Sequence, residues 1–291
     1  MQLLDGKKLA AEIRAALKKD IVDHDLSPGL AVILVGDDPA SRLYVSLKEK
    51  ACAEVGISFQ KFIYPAGAPE EEIISCIKNL NERRDINGIL VQLPLPDGLN
   101  TDKVIGAINP KKDADGFHSA NIKLLLDGKP YIYPGTHLGI IELVKAARVT
   151  LKNKIATIIS NSGVFAEPLI KMLSDCGAEE THYSIPDGKN AREYIADADI
   201  LIVAVGRPKF IAAGDVKPGA IVIDVGANRT PEGLCGDVNF EQVKHRASWI
   251  TPVPGGVGPM TVAMLLSNVV DLYKKQNGLK TAIEPLCPIY L

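Results

Sequence analysis

The sequence of 291 residues lacks the features that identify several large classes of protein. Its five cysteines are odd in number, lie far apart and include no Cys-x-x-Cys pair, so they indicate neither a disulfide framework nor a zinc site. With 33 Lys and Arg against 35 Asp and Glu, the net charge of -2 gives no basic excess of the kind that nucleic-acid-binding proteins carry. We therefore expect no nucleic-acid partner and no metal.

Long apolar runs are also missing. Charged residues begin at Asp5, and no run reaches the roughly 18 residues that cross a membrane. We expect neither an export signal nor a membrane anchor, and a reducing cytoplasm is the simplest setting for this cysteine pattern. The sequence contains no internal repeat and no low-complexity segment. Its length and its 46% hydrophobic residues suit two cores of ordinary size, which predicts two globular domains.

Strand and helix patterns alternate along both halves of the chain. The first half has predicted strands at 30–35, 58–64 and 88–92 and helices at 40–55 and 70–84. The second half has predicted strands at 155–159, 180–184, 200–205, 220–225 and 248–250, with helices at 137–149, 167–176 and 259–276. Such alternation predicts an α/β protein with parallel sheets covered by helices, the second half being a Rossmann-type nucleotide-binding domain. The tail at 277–291 has no clear periodicity.

The segment from Tyr44 to Lys48 carries the most chemical information. A phenol and an amine four residues apart on a helix share one face and can point at one ligand. Ser41 is a candidate N-cap of this helix. The predicted apolar stripe beside the pair consists of Leu43, Leu47, Ala51 and Val55. A lone Tyr-x-x-x-Lys pattern is more often a solvated lysine with a half-buried tyrosine, so the pair needs support from elsewhere.

Three other segments provide that support. The buried strand at 88–92 places Gln92 at its carboxyl end, where ligands of open α/β sheets bind. Asp113 and Asp115 lie two residues apart in a turn-rich loop, where they either face a ligand or only cap turns. Residues 252–261 contain three glycines and three prolines, so the backbone there can approach a flat ligand closely before a helix opens at Pro259.

These segments, in this order, resemble the bifunctional methylenetetrahydrofolate dehydrogenase/methenyltetrahydrofolate cyclohydrolase family. The matching segments are residues 28–41, 44–48, 88–96, 112–116 and 251–261. The resemblance covers nearly the whole chain and implies two α/β domains with a cleft between them, a homodimer and a nicotinamide cofactor, usually NADP. It implies a folate-binding catalytic domain at 1–136, completed by a C-terminal helix at 262–291, and an NAD(P)-binding domain at 137–261.

The resemblance also implies a reaction and residue roles. A methylene bridge on reduced folate is oxidised to a methenyl cation, which water then opens to the 10-formyl product. By resemblance Lys48 manages the protons, Gln92 directs the lysine amine, and Tyr44 stacks on the folate. Asp115 matches the position that anchors the pterin ring, and we assign Asp113 a structural role. The further substrate contacts that the resemblance implies are Val91, Leu93, Pro254, Gly255 and Gly256.

The cofactor side departs from the family pattern. By resemblance the cofactor contacts are Ser160, Asn161, Ser162, Ser184, Gly206 and Ala227. Ser160 and Asn161 stand where a glycine and an arginine are usual, and Glu167 adds a negative charge nearby. Residues 135–137 read Gly-Thr-His where Cys-Thr-Pro is usual, and Ala227 replaces a larger apolar residue. Because asparagine cannot form a charged fork to a 2′-phosphate, we expect weak NADP binding and leave the choice between NADP and NAD open.

Three functions are compatible with this combination of features. The first is the full bifunctional enzyme with an altered cofactor preference. The second is an enzyme that is mainly a cyclohydrolase, with weak or lost dehydrogenase activity, and the third is a non-catalytic folate-binding or partner-binding relative. Retention of Lys48 with its predicted partners favours the two enzymes, since a protein that only binds folate has no need of a proton-handling lysine.

Overall fold

The computed structural model describes residues 1–281 and residue 286, and the chain forms two compact units. Among the described residues, one unit consists of Ala11–Gly135 with residues 262–281, and the other consists of Met1–Ala10 with Thr136–Thr261 and residue 286. The elements of the described part are β1 (Gln2–Leu3), α1 (Gly6–Asp23), β2 (Gly29–Val35), α2 (Pro39–Val55), β3 (Ser58–Tyr64), α3 (Glu70–Glu82), β4 (Gly88–Val91), α4 (Thr101–Gly106), α5 (Ser119–Leu126), α6 (Gly135–Ala146), β5 (Ile155–Ser160), α7 (Gly163–Asp175), β6 (Glu180–Ser184), α8 (Ala191–Asp197), β7 (Ile200–Ala204), β8 (Ile221–Asp224), β9 (Asn228–Thr230), β10 (Gly233–Cys235), α9 (Phe240–Val243), β11 (Trp249–Ile250) and α10 (Val257–Gln276).

The first unit is built on a parallel sheet with the strand order β3-β2-β4. Every residue of β2 is buried, and its side chains alternate between two apolar clusters, as the two faces of a strand require. Leu30, Val32 and Leu34 pack in a cluster with residues of α2 and α10, whereas the intervening residues pack with α3. The predicted parallel sheet with helices on both faces is therefore confirmed.

Helix α10 fixes the loop that carries the predicted Asp115. The Asn268 Nδ2 group donates hydrogen bonds to the Ala114 carbonyl at 3.0 Å and to the Tyr133 carbonyl at 2.9 Å. Gly88 lets this helix approach β4, because an added Cβ would lie 3.0 Å from the Val269 Cγ2 atom. The helix ends at Gln276, and the part of the predicted 262–291 helix at 282–285 and 287–291 lies outside the described residues.

The second unit contains a parallel six-stranded sheet in the order β1-β11-β8-β7-β5-β6. The chain passes from β5 to β6 on one side and then to β7 on the other side of β5, which creates a topological switch point at the carboxyl end of β5. Dinucleotides bind at such switch points in open α/β sheets. The topology agrees with the predicted Rossmann-type domain.

The first residues of the chain belong to this second unit, whereas the prediction began the folate-binding domain at residue 1. Strand β1 pairs with β11, with Gln2 opposite Trp249 and Leu3 opposite Ile250. The Leu4 amide also donates to the Ile250 carbonyl at 2.9 Å. These backbone hydrogen bonds place the N-terminus in the nucleotide-binding sheet.

Several helix boundaries differ from the predictions, and capping explains two of the differences. Helix α2 begins at Pro39, and its N-cap is Asp38 rather than Ser41, because the Asp38 carboxylate accepts the Ser41 amide at 2.7 Å. Helix α7 begins at Gly163 rather than at residue 167, since the Ser162 hydroxyl accepts the Phe165 amide at 3.2 Å. Helix α10 begins at Val257, two residues before the predicted start.

The described part of the chain holds three free thiols, those of Cys52, Cys76 and Cys235. No helix among residues 1–281 is both long and apolar enough to span a membrane. In the same part of the chain, no group of three or more His, Cys, Asp or Glu side chains is arranged to hold a metal ion.

Candidate functional site

The lysine of the Tyr-x-x-x-Lys segment is buried and meets the predicted glutamine. Lys48 lies on α2 and is 8% exposed, and its Nζ atom donates a hydrogen bond to Gln92 Oε1 at 2.7 Å. Gln92 follows directly after β4, and its backbone amide donates a hydrogen bond to the Ile33 carbonyl of the neighbouring strand at 2.9 Å. The carboxyl edge of the sheet and the middle of α2 thus bring these two side chains together.

A second hydrogen bond fixes the orientation of the side-chain amide of Gln92. Its Nε2 group donates to the Leu93 carbonyl at 2.7 Å, so its Oε1 atom is the one that faces Lys48. An amide oxygen can only accept, and the lysine nitrogen must therefore supply the proton of this contact. Gln92 holds the lysine nitrogen in place without adding a charge that would keep it protonated.

Burial controls the protonation of this group. Desolvation lowers the pKa of Lys48, and the negative charge of Asp115 and the nearby Cys52 oppose the shift without reversing it. Burial likewise raises the pKa of Asp115 to about 6, although the positive charge of Lys48 acts to lower it. Both shifts move the pair toward its uncharged forms, which is the state that chemistry at a proton-handling lysine requires.

The two aspartates of the loop have different surroundings. Asp113 is buried, and its carboxylate accepts the Gly116 amide at 3.0 Å, the His118 amide at 2.9 Å and the Asn121 side chain at 2.9 Å. Asp115 is half-buried, and no donor among residues 1–281 hydrogen-bonds its carboxylate. Asp113 therefore holds the loop together, while the Asp115 carboxylate can accept hydrogen bonds from a ligand.

The remaining predicted substrate contacts of this unit lie around the same edge. Tyr44 is half-buried one helical turn before Lys48 on α2. Val91 is 5% exposed, and its side chain packs in the apolar cluster shared with α3, so only its backbone is available to a ligand. Leu93 is 39% exposed and flanks Gln92.

The glycine-rich segment belongs to the second unit. Pro254 is exposed, and the Gly255 carbonyl accepts the Lys7 amide at 2.9 Å. Gly256 admits no side chain, because an added Cβ would lie 2.6 Å from the Pro252 carbonyl oxygen. The backbone of this segment, which was predicted to approach a flat ligand closely, thus packs in part against residues of its own unit.

The residues at the switch point form a hydrogen-bonded loop. The Asn161 Nδ2 group donates to the Val205 carbonyl at 2.6 Å, which links the turn after β5 to the turn after β7. Ser160 is 2% exposed, and its hydroxyl accepts the Ser162 amide at 3.1 Å. Ser162 then caps α7. At the position of the arginine in the family pattern, this chain therefore has an asparagine whose side chain bonds to the protein itself.

Other predicted cofactor residues lie on loops at the same edge of the sheet. The Ser184 hydroxyl donates to the Ile185 carbonyl at 3.0 Å at the end of β6, and Ala227 is exposed after β8. Gly206 has a φ of 66° and follows β7. An added Cβ at Gly206 or at Gly163 would meet no heavy atom within 4 Å, so both backbones border open space.

Two buried aspartates that the sequence did not reveal organise these loops. The Asp237 carboxylate accepts three successive amides, those of Val205 at 2.6 Å, Gly206 at 3.0 Å and Arg207 at 2.8 Å. The Asp224 carboxylate accepts three further amides, including that of Asp237 at 3.0 Å. Burial raises the pKa of Asp224 to about 7. The sequence signal is weak, a Gly-Asp-Val triplet at 236–238 before a short helix.

The unusual His137 contacts the helix that follows the altered cofactor loop. It is fully buried, and its Nε2 atom lies 2.7 Å from the Phe165 carbonyl oxygen in the first turn of α7. The two rings lie 4.7 Å apart between centroids. Burial lowers the pKa of His137 to about 4, and the carbonyl can only accept, so a neutral imidazole donates from Nε2. One departure from the family pattern therefore contacts the first turn of the helix that follows the altered cofactor loop.

Two family models match successive parts of the chain. Residues 4–115 match the family model for the tetrahydrofolate dehydrogenase/cyclohydrolase catalytic domain, and residues 134–277 match that for its NAD(P)-binding domain. The chain is 45% identical over 281 residues to the bifunctional protein FolD of Geotalea daltonii, covering 94% of this chain and 99% of that protein.

Solved structures agree as well. The bifunctional FolD dehydrogenase/cyclohydrolase of Campylobacter jejuni matches with a TM-score of 0.90 and 42% identity, covering 95% of this chain and 99% of that one. The Trypanosoma brucei enzyme, solved with NADP and an inhibitor, matches with a TM-score of 0.88 and 31% identity over 94% of this chain and 97% of that one. The chain therefore belongs to the tetrahydrofolate dehydrogenase/cyclohydrolase family.

Proposed function

We propose that this chain oxidises 5,10-methylenetetrahydrofolate to 5,10-methenyltetrahydrofolate with NAD(P) and hydrolyses that product to 10-formyltetrahydrofolate. The observation that carries the proposal is the buried Lys48 held by Gln92 at 2.7 Å, in the unit that matches the family's catalytic domain. No contact in the described residues favours a non-catalytic folate-binding protein, for which a buried lysine would be a cost without a use.

The hydrolytic step depends on the neutral form of Lys48. A neutral amine that donates one N–H to Gln92 keeps its lone pair free to accept a proton from water. The water oxygen bonds to the methenyl carbon as the lysine takes one of the water protons. The bond from that carbon to the ring nitrogen then breaks, the lysine passes its proton to the departing nitrogen, and the remaining hydroxyl proton is released to solvent as the formyl C=O forms. Burial supports this role because it lowers the pKa of Lys48, so less free energy is needed to reach the neutral form.

Asp115 is proposed as the anchor of the pterin ring. Its carboxylate has no protein donor among residues 1–281, and its raised pKa reflects burial without compensating hydrogen bonds. Paired N–H groups of a pterin would supply those hydrogen bonds. Tyr44 is proposed to stack on the folate, with Val91 and Leu93 beside it, and Asp113 maintains the loop. For Pro254, Gly255 and Gly256, the contact with folate stays a prediction from the resemblance.

The second unit is proposed to hold the nicotinamide cofactor, which takes up the hydride when bound. The residues fit such a group, because Gly163 and Gly206 present backbone to open space and the N-terminus of α7 favours a phosphate. Ser160, Ser162, Ser184 and Ala227 are the other proposed contacts. Asp237 keeps the loop of Gly206 in place by accepting its amide.

For the choice of cofactor, we propose that any preference for NADP over NAD is small or reversed. Asn161 has its amide engaged with the Val205 carbonyl and carries no charge for a 2′-phosphate. Glu167, exposed on α7, adds a negative charge to the same helix. We further propose that dehydrogenase turnover is slow relative to hydrolysis.

A homodimer is proposed from an uncovered apolar surface of the first unit. Leu43 is 53% exposed and Leu47 is 43% exposed on α2, and both belong to the predicted apolar stripe of this helix. Ile63 on the edge strand β3 is 56% exposed. An edge strand beside exposed apolar side chains invites pairing with a second copy.

The cytoplasm is the proposed location, supported by the free thiols Cys52, Cys76 and Cys235. Titration of thiols in freshly isolated protein tests this location, since a cytoplasmic chain should yield reduced cysteines.

The proposed function is tested with the purified chain and two substrates. Methenyltetrahydrofolate without any nucleotide should lose its absorbance faster than in buffer, and methylenetetrahydrofolate should reduce NAD or NADP. Hydrolysis without nucleotide reduction supports the alternative of a chain that is mainly a cyclohydrolase. Absence of both reactions in folded protein that binds folate overturns the proposal.

A further inference from the structure

The loop after β6 presents an acidic side chain at the carboxyl edge of the nucleotide-binding sheet. The Gly188 amide donates to the Ile185 carbonyl at 2.9 Å, which closes a four-residue turn with Asp187 in its third position. Pro186 is buried, whereas the Asp187 side chain is 78% exposed. An added Cβ at Gly188 would lie 2.3 Å from the Ser184 hydroxyl oxygen, so the turn is tightly packed against the end of β6.

An arginine from the loop after β7 reaches this aspartate. Arg207 Nη1 lies 2.8 Å from Asp187 Oδ2, and the guanidinium carbon lies 4.5 Å from the centroid of the Phe210 ring. The Arg207 backbone is fixed as well, because its amide donates to Asp237. Since β6 and β7 flank β5 in the sheet, the ion pair joins the two loops on either side of the switch point.

The position of this pair relates it to the ribose of a dinucleotide. In sheets of this topology an acid after the second strand of the unit accepts a hydrogen bond from the ribose 2′-hydroxyl, whereas an available arginine accommodates a 2′-phosphate. Here the second strand is β6, and the acid that follows it is Asp187. The arginine within reach is already paired with that acid.

The charges discriminate between the two nucleotides. A ribose hydroxyl can donate to Asp187 without displacing Arg207, because an ionised carboxylate has about four acceptor positions. A 2′-phosphate would have to approach the carboxylate as a like charge, or break the ion pair and leave the carboxylate beside it. Asn161 supplies no compensating positive charge.

We infer that Asp187, held by Arg207, makes the cofactor site select a dinucleotide with a free ribose 2′-hydroxyl over its 2′-phosphorylated form. This specificity role rests on the proposed function, since it presupposes a nicotinamide dinucleotide at the switch point.

The test compares direct binding of NAD and NADP by calorimetric titration to the parent chain and to Asp187→Ser. The matched control is Asp197→Ser, which removes an exposed carboxylate just before β7, at the opposite edge of the same sheet. We expect the ratio of the NADP Kd to the NAD Kd to fall at least about tenfold in Asp187→Ser and to stay unchanged in the control.

An unchanged ratio in Asp187→Ser, or a parent chain that already binds NADP more than about tenfold tighter than NAD, overturns this inference. Methenyltetrahydrofolate hydrolysis by the same preparations needs no dinucleotide and is measured in parallel. Intact hydrolysis with an unchanged ratio therefore rejects the role of Asp187 alone, whereas absent hydrolysis in the parent rejects the proposed hydrolytic function.

Discussion

Lys48 on α2 donates a hydrogen bond to Gln92 at the end of β4, across 2.7 Å. The partner is a neutral amide rather than a carboxylate, and this choice determines the charge of the lysine. A carboxylate at the same position would stabilise the ammonium form, whereas the amide fixes the nitrogen and leaves burial to lower its pKa.

The first prediction changes that amide to a carboxylate. In Gln92→Glu the new negative charge should raise the pKa of Lys48, so hydrolysis, which needs neutral lysine, should reach half of its maximum at a higher pH. We expect a displacement of roughly one to three pH units, as for close opposite charges. The pH profile of methenyltetrahydrofolate hydrolysis measures it. Gln242→Glu, at an exposed position on α9, is the control, and a midpoint in Gln92→Glu at or below that of the parent contradicts the account.

The second prediction separates the two loop aspartates. Asp115→Ala should weaken folate binding by about 2–5 kcal/mol, because the donors of the pterin ring lose a buried acceptor. Asp113→Ala should affect binding much less but lower the melting temperature, since three protein donors lose their acceptor. Titration of a folate analogue and thermal unfolding measure the two effects. Equal losses of binding in the two variants would remove the assignment of Asp115.

The third prediction concerns the altered cofactor loop. Introducing Ser160→Gly together with Asn161→Arg should strengthen NADP binding, with a charged contact worth on the order of 1–3 kcal/mol. The variant also loses the hydrogen bond from Asn161 to Val205, so the net gain in the free energy of NADP binding should lie toward the lower end of that range. Ser174→Arg, at the carboxyl end of α7, adds the same charge away from the loop and should have no effect. A gain of similar size in both proteins would mean that general attraction, and not the loop, holds the phosphate.

The fourth prediction tests the exposed leucines of α2. Replacing Leu43 and Leu47 together with glutamate should convert a dimer to a monomer in sedimentation velocity, because charges would be buried at the interface. Val22→Glu, at a 70% exposed position on α1, should leave the dimer intact. A parent chain that sediments as a monomer at micromolar concentration would refute the proposed dimer.

Local patterns explain which parts of the fold could be predicted. Strand β3 at Ser58–Tyr64 and strand β6 at Glu180–Ser184 have the predicted boundaries, because a glycine precedes and a proline follows each of them. Strand β1 has only two residues, and its partner β11 lies at the far end of the sequence, so no local pattern could reveal it. Helix α1 was not predicted, although Leu9, Ile13, Leu17 and Ile21 recur at helical spacing.

In the candidate site, too, local sequence patterns predict some features and not others. The proximity of Tyr44 and Lys48 follows from helical spacing, and the place of Gln92 follows from the end of a buried strand. The carboxylates of Asp224 and Asp237 could not be predicted, because their partners are backbone amides brought together only by tertiary folding. The exposure of Leu43 and Leu47 also escaped the sequence, since a helical stripe reads the same whether it covers a core or another subunit.

The central claim is that neutral Lys48 handles the proton of hydrolysis, and the most direct measurement is the rate of methenyltetrahydrofolate hydrolysis by Lys48→Met. Methionine preserves the buried apolar stem, so circular dichroism and the melting temperature should show an intact fold. Lys50→Met, at an exposed position on the same helix, is the control. The account predicts that Lys48→Met loses roughly 10²–10⁴ of the rate while Lys50→Met retains the parent rate. Hydrolysis by Lys48→Met at the parent rate would contradict it.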